Sequence, residues 1–208
     1  MKVRPVSRGA LVGEIVDRIT AFAPDQRVRV ALDGPPATAP RAWAEDLVNP
    51  LRVHGRPALH VPAEGFLRPA SERFELGRTN PDAFYERWRD DAGLRREVLE
   101  PAGPAGSGRV LPSLWDTASD RATRAPYVDL ASGSVVLVSG ALLLGAGLPF
   151  DLEVHLELSA AALARSMPEE LAWTLPAYAR YADEVDPVAF ADVVVRLNDP
   201  RRPALVER

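Results

Sequence analysis

The pattern of apolar and polar positions along the chain predicts alternating helices and strands. Apolar residues three and four positions apart predict a helix over residues 7–22, with Ser7 as its N-cap. Alternating apolar positions predict a strand over residues 27–32, and an unbroken apolar run over residues 134–138 is typical of a buried parallel strand. This alternation favours an α/β domain with a mainly parallel sheet.

The remaining elements follow from the same patterns and from residues that start or stop helices. Shorter strands are predicted over residues 58–61, 109–111, 127–130, 152–158 and 192–197, and helices from about residue 41 and over residues 159–165 and 168–183. Asn80-Pro81-Asp82 is a strong helix start, with Asn as the cap and Pro at the first helical position. Prolines are expected to limit three helices: Pro50 shortens or kinks the second, Pro101 stops a helical piece at residue 99, and Pro176 interrupts the last.

The composition is that of one globular domain, and it excludes several kinds of chemistry. The 208 residues are 47% hydrophobic and carry a net charge of -4, so nothing favours nucleic acid as a partner. The absence of cysteine excludes disulfides, thiolate metal sites and thiol catalysis. His54, His60 and His155 show no metal-ligand spacing, and we predict no metal site built from them.

Neither the N-terminus nor the longest apolar run has the character of a membrane segment. The first residues are basic and lead into an amphipathic stretch, whereas a signal peptide has an apolar core there. The apolar run over residues 135–148 is broken by glycines and is too short to cross a bilayer. We therefore expect a cytoplasmic protein with no membrane partner.

One segment, residues 28–43, has the layout of a strand, a tight loop and a helix. The strand ends in Asp33-Gly34-Pro35, and the helix begins near Arg41. A loop in this position, followed by a helix N-terminus, is where phosphate-binding proteins hold an anion with backbone N–H groups. The layout therefore makes residues 33–41 a candidate phosphate loop.

The order of segments over about residues 28–203 resembles the uridine kinase-like branch of the P-loop nucleoside kinases. The segments that carry the resemblance are residues 30–35, 64–69, 77–85, 135–144, 180–181 and 191–200. The resemblance implies a P-loop NTPase-like three-layer sandwich with a mainly parallel central sheet. It also implies one domain over residues 1–208, with an N-terminal helix in residues 1–24 and a lid-like helical region at about 160–186.

The same resemblance assigns roles to individual residues. It implies Glu64 as the catalytic carboxylate that accepts a proton from a sugar hydroxyl. It implies a phosphate loop of Asp33, Gly34, Pro35, Thr38 and Arg41, nucleoside contacts from Phe66, Arg68, Arg78, Tyr85 and Arg124, lid or phosphate contacts from Arg165 and Arg180, and an adenine loop at Asn198 and Asp199. The implied partners are a nucleoside or nucleotide-like molecule, ATP and Mg²⁺.

Each assigned residue also has an ordinary structural explanation. Aromatic residues such as Tyr85 and Phe66 suit core packing as well as ligand contact, and the arginines suit a solvated surface. Glu64 suits a surface or helix-capping position equally well. Phe84, Tyr85 and Trp88 give one helix an aromatic side, for which packing and ligand contact have equal weight.

The candidate phosphate loop departs from the family pattern at the positions that handle ATP. The family's loop lysine falls at Pro40 and its magnesium-binding hydroxyl at Arg41, while two loop glycines fall at Ala37 and Ala39. Lys2 is the only lysine in the chain, so no lysine stands near the loop in sequence. These absences argue against ordinary use of ATP and Mg²⁺.

A second departure follows the strand over residues 134–138, where Ser139 replaces an acidic residue. Three functions therefore remain open. The chain is a nucleoside kinase with an unusual loop, or a catalytically inactive kinase-like protein that binds a nucleoside or related molecule. The third is a different reaction in the same cleft that uses Glu64 without ATP.

Overall fold

A computed structural model describes residues 2–207, and a seven-stranded sheet runs through this part of the chain. The strands of the large sheet are β1 (Lys2–Pro5), β2 (Val28–Asp33), β3 (Ala58–Pro62), β8 (Val135–Gly140), β9 (Leu152–Glu157), β10 (Val193–Arg196) and β11 (Ala204–Glu207). Short strands β4 (Arg109–Val110) and β7 (Val128–Asp129) pair with each other, as do β5 (Trp115–Asp116) and β6 (Arg121–Ala122).

The sheet has the spatial order β1-β11-β10-β9-β2-β8-β3. The five strands from β10 to β3 are mutually parallel, and β11 and then β1 add antiparallel pairings at one edge. The predicted α/β fold with a mainly parallel central sheet is therefore confirmed.

The helices connect these strands and cover both faces of the sheet. They are α1 (Arg8–Thr20), α2 (Pro40–Val53), α3 (Ala70–Arg73), α4 (Pro81–Arg87), α5 (Asp91–Leu94), α6 (Glu100–Ala102), α7 (Ala160–Ser166), α8 (Leu175–Glu184) and α9 (Pro187–Phe190). Shorter 3₁₀ turns lie at Pro36–Thr38, Ala63–Phe66 and Glu169–Thr174, and a π turn at Arg95–Leu99 joins α5 to α6.

Alternation along the buried strands sends side chains into two separate cores. In β2, Val30 and Leu32 pack with the apolar faces of α1 and α2, including Leu11 and Trp43. Ala31 between them points to the opposite face, where it joins the core that contains the π turn and α8. Helices, sheet and helices thus form three layers, as the resemblance implied.

The candidate site lies where the direction of strand order reverses. From β2 the chain moves outward to β3, returns through β8, and then crosses to β9 on the other side of β2. In open α/β sheets, ligands bind beyond the carboxyl ends of the strands at such a reversal. Here those ends bring Asp33 of β2 and His155 of β9 together, at paired positions of the two strands.

Two local predictions were wrong at prolines. Pro101 does not stop the helical piece at residue 99, because it stands in the first turn of α6, where its missing N–H costs no helical bond. Helix α2 runs through Pro50 and ends at Val53, so the prediction that Pro50 limits or kinks it stays a prediction. Pro176 stands in the first turn of α8, where its missing N–H costs no helical bond, so it starts that helix instead of interrupting it. The terminal strands β1 and β11 and the β5–β6 hairpin were not predicted.

Candidate functional site

A buried carboxylate, Asp33, stands at the centre of the carboxyl edge of the sheet. Its side chain has no exposed surface. The Leu143 N–H donates to its Oδ1 at 2.9 Å, the Tyr181 hydroxyl donates to its Oδ2 at 3.0 Å, and His155 Nδ1 lies 2.7 Å from Oδ2. A buried carboxylate is tolerated when several donors converge on it in this way.

Tyr181 extends this network to the loop that follows β8. Its hydroxyl accepts a hydrogen bond from the Leu144 N–H at 3.0 Å while it donates to Asp33. Burial, and then the negative charge of Asp33, raise the pKa of the Tyr181 hydroxyl above its ordinary value, which keeps the donated proton in place. The network therefore ties α8 to the end of β2 and to the loop over residues 141–145.

The candidate phosphate loop, residues 34–41, turns its own hydrogen-bonding groups inward. The Thr38 N–H and hydroxyl both donate to the Pro35 carbonyl at 2.8 Å, and the Ala39 N–H donates to the Pro36 carbonyl at 2.9 Å. The Gly34 N–H donates to the Gly140 carbonyl at 3.0 Å. Since prolines at 35, 36 and 40 have no N–H at all, few loop donors remain to face an anion.

Two loop residues show how tightly the turn is filled. A Cβ built on Gly34 would lie 2.5 Å from the Thr38 hydroxyl and 2.9 Å from the Leu156 carbonyl oxygen, so the buried Thr38 side chain packs directly on the glycine. Ala39 has φ 52° and ψ 58°, a left-handed conformation that glycine adopts freely and alanine does not. The backbone keeps a glycine-like turn without the glycine.

An aromatic cavity of about 190 Å³ opens beside this loop. Phe84, Tyr85 and Trp88 from the α4 region line it together with Tyr178 of α8. The same wall contains Glu64, Leu142 and the loop residue Pro36. Leu142 and Tyr178 also line a smaller cavity of about 60 Å³ around Asp33, so they form the wall between the two spaces. Leu142 itself has a left-handed φ of 60°.

The aromatic rings around this cavity pack edge to face. The Phe84 ring centroid lies 5.2 Å from Trp88, 5.7 Å from Trp173 and 6.0 Å from Tyr178. Such tilted contacts are favourable for aromatic pairs and hold α4 against the segment that contains α8. The Trp88 Nε1 group is buried and has no hydrogen-bond partner within residues 2–207.

An arginine on α8 adds a polar clamp between the same two helices. The Arg180 guanidinium lies 2.7 Å from Glu86 Oε1 and 3.3 Å from Asp82 Oδ1 of α4, and 2.7 Å from Glu184 Oε1 of its own helix. It also stacks over the Tyr85 ring, 4.6 Å from its centroid. The region predicted to be lid-like is thus held against α4 in this structure.

Glu64 is exposed in the 3₁₀ turn after β3, and it lines two spaces at once. One is the aromatic cavity, and the other is an open cleft of about 300 Å³ lined also by Arg41, Ser113 and Trp115. Arg41 is paired with Glu45 at 3.6 Å. Within residues 2–207 no cation lies within ion-pair distance of the Glu64 carboxylate.

The structure brings some of the predicted site residues together and leaves others apart. Glu64 and Tyr85 line the aromatic cavity, whereas Phe66 is fully buried in the core. Arg68 pairs with Glu72, and Arg78 stacks on Phe74, away from the cavity lining. Arg124 and Arg165 are exposed. Asn198 accepts a hydrogen bond from the Ser159 N–H, and Asp199 accepts one from the Arg201 N–H.

Ser139, which stands where the resemblance implies an acidic residue, contacts a histidine. Its hydroxyl lies 2.8 Å from His60 Nε2, and the serine is 1% exposed. Burial, and then the positive charge of Arg41, lower the pKa of His60, which favours its neutral form. Among residues 2–207, no three His, Asp or Glu side chains are grouped so that they could hold a metal ion.

Sequence reasoning assigned no site role to three residues of the Asp33 network and the cavity wall, namely Tyr178, Tyr181 and His155. Tyr178 and Tyr181 are three positions apart, so they share a helix face, and that spacing was the available signal. His155 and Asp33 are 122 residues apart, and only the strand order brings them together. Arg89 donates to the carbonyls of Ala141 and Leu142, and nothing in the local sequence indicates this.

Comparison with solved structures places this geometry in a known fold. A possible uridine kinase from Bacillus stearothermophilus superimposes with a TM-score of 0.71 at 18% identity, over 88% of this chain and 96% of that one. The chain has the fold of the uridine kinase-like P-loop kinases. The resemblance seen in the sequence is therefore confirmed at the level of the fold.

Two further solved structures share the fold. A candidate fructose transport system kinase from Silicibacter sp. TM1040 gives a TM-score of 0.61 at 22% identity, over 91% of this chain and 98% of that one. The YGR205w protein gives 0.63 at 11% identity, over 97% and 100%. No protein-family model matches the chain, and no curated protein sequence matches it either. None of the helices described for residues 2–207 has the length and apolar character needed to span a bilayer.

Proposed function

We propose that this protein binds a nucleoside or a related ring-containing small molecule in the aromatic cavity and is a catalytically inactive member of its fold. The observation that carries the proposal is the contrast between two neighbouring sites. The cavity beside Glu64 is formed and lined by aromatic rings. In the loop over residues 34–41, most positions either donate their N–H group to a protein carbonyl or are prolines, which have no N–H group. A site for a phosphoryl acceptor is thus present without a working site for a phosphoryl donor.

The loop residues do not fit an ATP–magnesium complex. Phosphoryl transfer depends on a lysine and a metal to neutralise the transferring phosphoryl group, and on N–H groups that cradle the phosphates. Here Pro40 and Arg41 stand at the lysine and hydroxyl positions, and the Thr38 hydroxyl donates to a carbonyl of the same loop. The loop is therefore a degenerate Walker A motif, and no step of a reaction is assigned to ATP.

The ligand spans the cavity and the adjoining cleft in this proposal. A ring occupies the aromatic cavity, and hydroxyl groups of an attached sugar reach past Glu64 toward Ser113 and the exposed carboxylate of Asp116. The nucleoside contacts expected of Arg68, Arg78 and Arg124, the phosphate contacts expected of Arg165 and Arg180, and the adenine contacts expected of Asn198 and Asp199 stay predictions. So do the single-domain organisation and the cytoplasmic location.

The test is a binding and turnover panel with purified protein. Calorimetry with several nucleosides, without ATP, is expected to give saturable binding that the cavity variant Phe84→Ala weakens by about tenfold or more. The exposed variant Asp17→Asn on α1 serves as the control. No binding of any nucleoside or related ring compound would contradict the proposal.

An active kinase remains the second candidate, because Glu64 is unpaired and lies at the end of β3 beside the cavity. Incubation of the protein at high concentration with each nucleoside, ATP and Mg²⁺ separates the two candidates. We expect no phosphorylated product. Product that disappears in Glu64→Gln would establish the kinase instead.

A further inference from the structure

We propose that the aromatic cavity takes a single-ring ligand carrying a positively charged amine, with Glu64 as its counter-ion. This inference rests on the proposed function, because it uses the same cavity and specifies the chemical class of its ligand. Three observations carry it: the balance of charge at the wall, the aromatic lining and the volume.

The charged groups at the cavity wall leave one carboxylate without a partner. Arg89 is the cation at this wall, and it is held by Asp91 and by the carbonyls of Ala141 and Leu142, the latter two at 2.8 Å. Glu86 is held by Arg180 at 2.7 Å. Glu64 has no ion pair within residues 2–207, so the cavity has an unbalanced negative charge.

This charge favours a cationic ligand over a neutral one and disfavours an anionic one. A ring bound in the cavity covers part of the Glu64 carboxylate and removes it from water, which is costly unless a partner replaces the water. An ammonium group supplies both the opposite charge and hydrogen-bond donors. A second carboxylate or phosphate brought in by the ligand would be repelled.

The aromatic side chains add to this preference. Phe84, Tyr85, Trp88 and Tyr178 line the same cavity as Glu64. Aromatic rings attract organic cations through their negative faces, and the attraction is stronger where water is excluded. A cavity that combines several aromatic rings with one free carboxylate is therefore suited to an amine.

The volume limits the ligand's size. A dry cavity of about 150 Å³ accommodates benzene, and this one measures about 190 Å³. One six-membered ring with a short substituent fills it. A larger molecule must extend past Glu64 into the adjoining cleft.

The test compares three probes of equal size in calorimetric titrations at pH 7: benzylamine, benzyl alcohol and benzoate. We expect benzylamine to bind about tenfold or more tighter than benzyl alcohol and benzoate not to bind. In Glu64→Gln the preference for the amine is expected to vanish while benzyl alcohol binds as before. Asp17→Asn, on the exposed face of α1, is the matched control and is expected to keep the preference.

The outcomes separate this inference from the proposed function. Equal binding of the amine and the alcohol, or an amine preference that survives in Glu64→Gln, overturns the inference and leaves the cavity as a ring-binding site. Binding of nucleosides without binding of benzylamine likewise overturns the inference and leaves the cavity as a ring-binding site. If neither a nucleoside nor any of the three probes binds, both proposals fail. Thermal unfolding of each variant confirms that it is folded.

Discussion

Replacing Tyr181 by phenylalanine tests the buried network that fixes α8 to the end of β2 and to the loop over residues 141–145. The change removes one hydroxyl and leaves the ring, so it creates almost no cavity. The lost hydroxyl donates to Asp33 and accepts from the Leu144 N–H, both at 3.0 Å. Tyr181 is 5% exposed, so water does not easily replace either contact.

The cost follows from these two bonds. A hydrogen bond to a charged group contributes about 1.5–3 kcal/mol, and a buried N–H left without an acceptor costs about 1–3 kcal/mol. Because the two effects share one site and partly relax, we expect a total loss of about 2–4 kcal/mol in the free energy of unfolding. For a chain of this length the melting temperature falls by about 4–16 °C.

Tyr178 provides a matched control one turn earlier on the same helix. It is 8% exposed, and its hydroxyl has no hydrogen bond within residues 2–207. Tyr178→Phe is therefore expected to cost less than about 1 kcal/mol. Urea unfolding followed by circular dichroism measures both variants, and hydrogen exchange at the Leu144 amide reports on the local loss. Equal stability of the two variants would refute the network as described.

Three further predictions concern the loop and the opposite end of the sheet. Ala39→Gly removes the strain of the left-handed alanine and is expected to stabilise the protein by about 0.5–1 kcal/mol. The control Ala164→Gly, in the exposed middle of α7, is expected to destabilise it by about the same amount. A lower free energy of unfolding in both variants would contradict the strain at Ala39. Gly34→Ala forces a Cβ to within 2.9 Å of the β9 backbone and is expected to lower the free energy of unfolding by about 1–3 kcal/mol, so an unchanged urea midpoint would contradict the close packing. Burial, and then Asp192, raise the pKa of Glu153 to about 7, so its protonated form stabilises the fold at pH 5 and that contribution is lost as the pH rises through 7. The difference in free energy of unfolding between Glu153→Gln and the natural chain is therefore expected to shift by about 1–2 kcal/mol in favour of the variant when the pH is raised from 5 to 8. Parallel pH profiles of the two unfolding free energies would contradict this.

Local signals in the sequence were sufficient for much of the fold. Ser7, Asn80 and Ser159 cap the helices that their positions predicted, because capping depends on residues three positions away. The buried strands β2 and β8 were predicted from their apolar runs. The edge strands β1 and β11 were missed, because their pairing joins the two ends of the chain and their short sequences carry little pattern.

The candidate site was predictable only in part, for a physical reason. The aromatic side of α4 follows from helical spacing, and Phe84, Tyr85 and Trp88 do line the cavity. The partners that close the cavity, such as Tyr178, come from a helix about ninety positions later in the chain, and no local rule connects them. The inward turn of the loop depends on tertiary contacts with β9, which sequence spacing does not reveal.

A titration with ATP in the presence and absence of Mg²⁺ measures whether residues 34–41 still bind the phosphates of a nucleotide. The natural chain is expected to show no saturable, magnesium-dependent binding, because residues 34–41 offer few donors and no lysine. The variant Ala39→Gly/Pro40→Lys/Arg41→Ser, which restores the glycine, lysine and hydroxyl, is measured beside it for comparison. Saturable magnesium-dependent ATP binding by the natural chain would show that this loop is a working phosphate site.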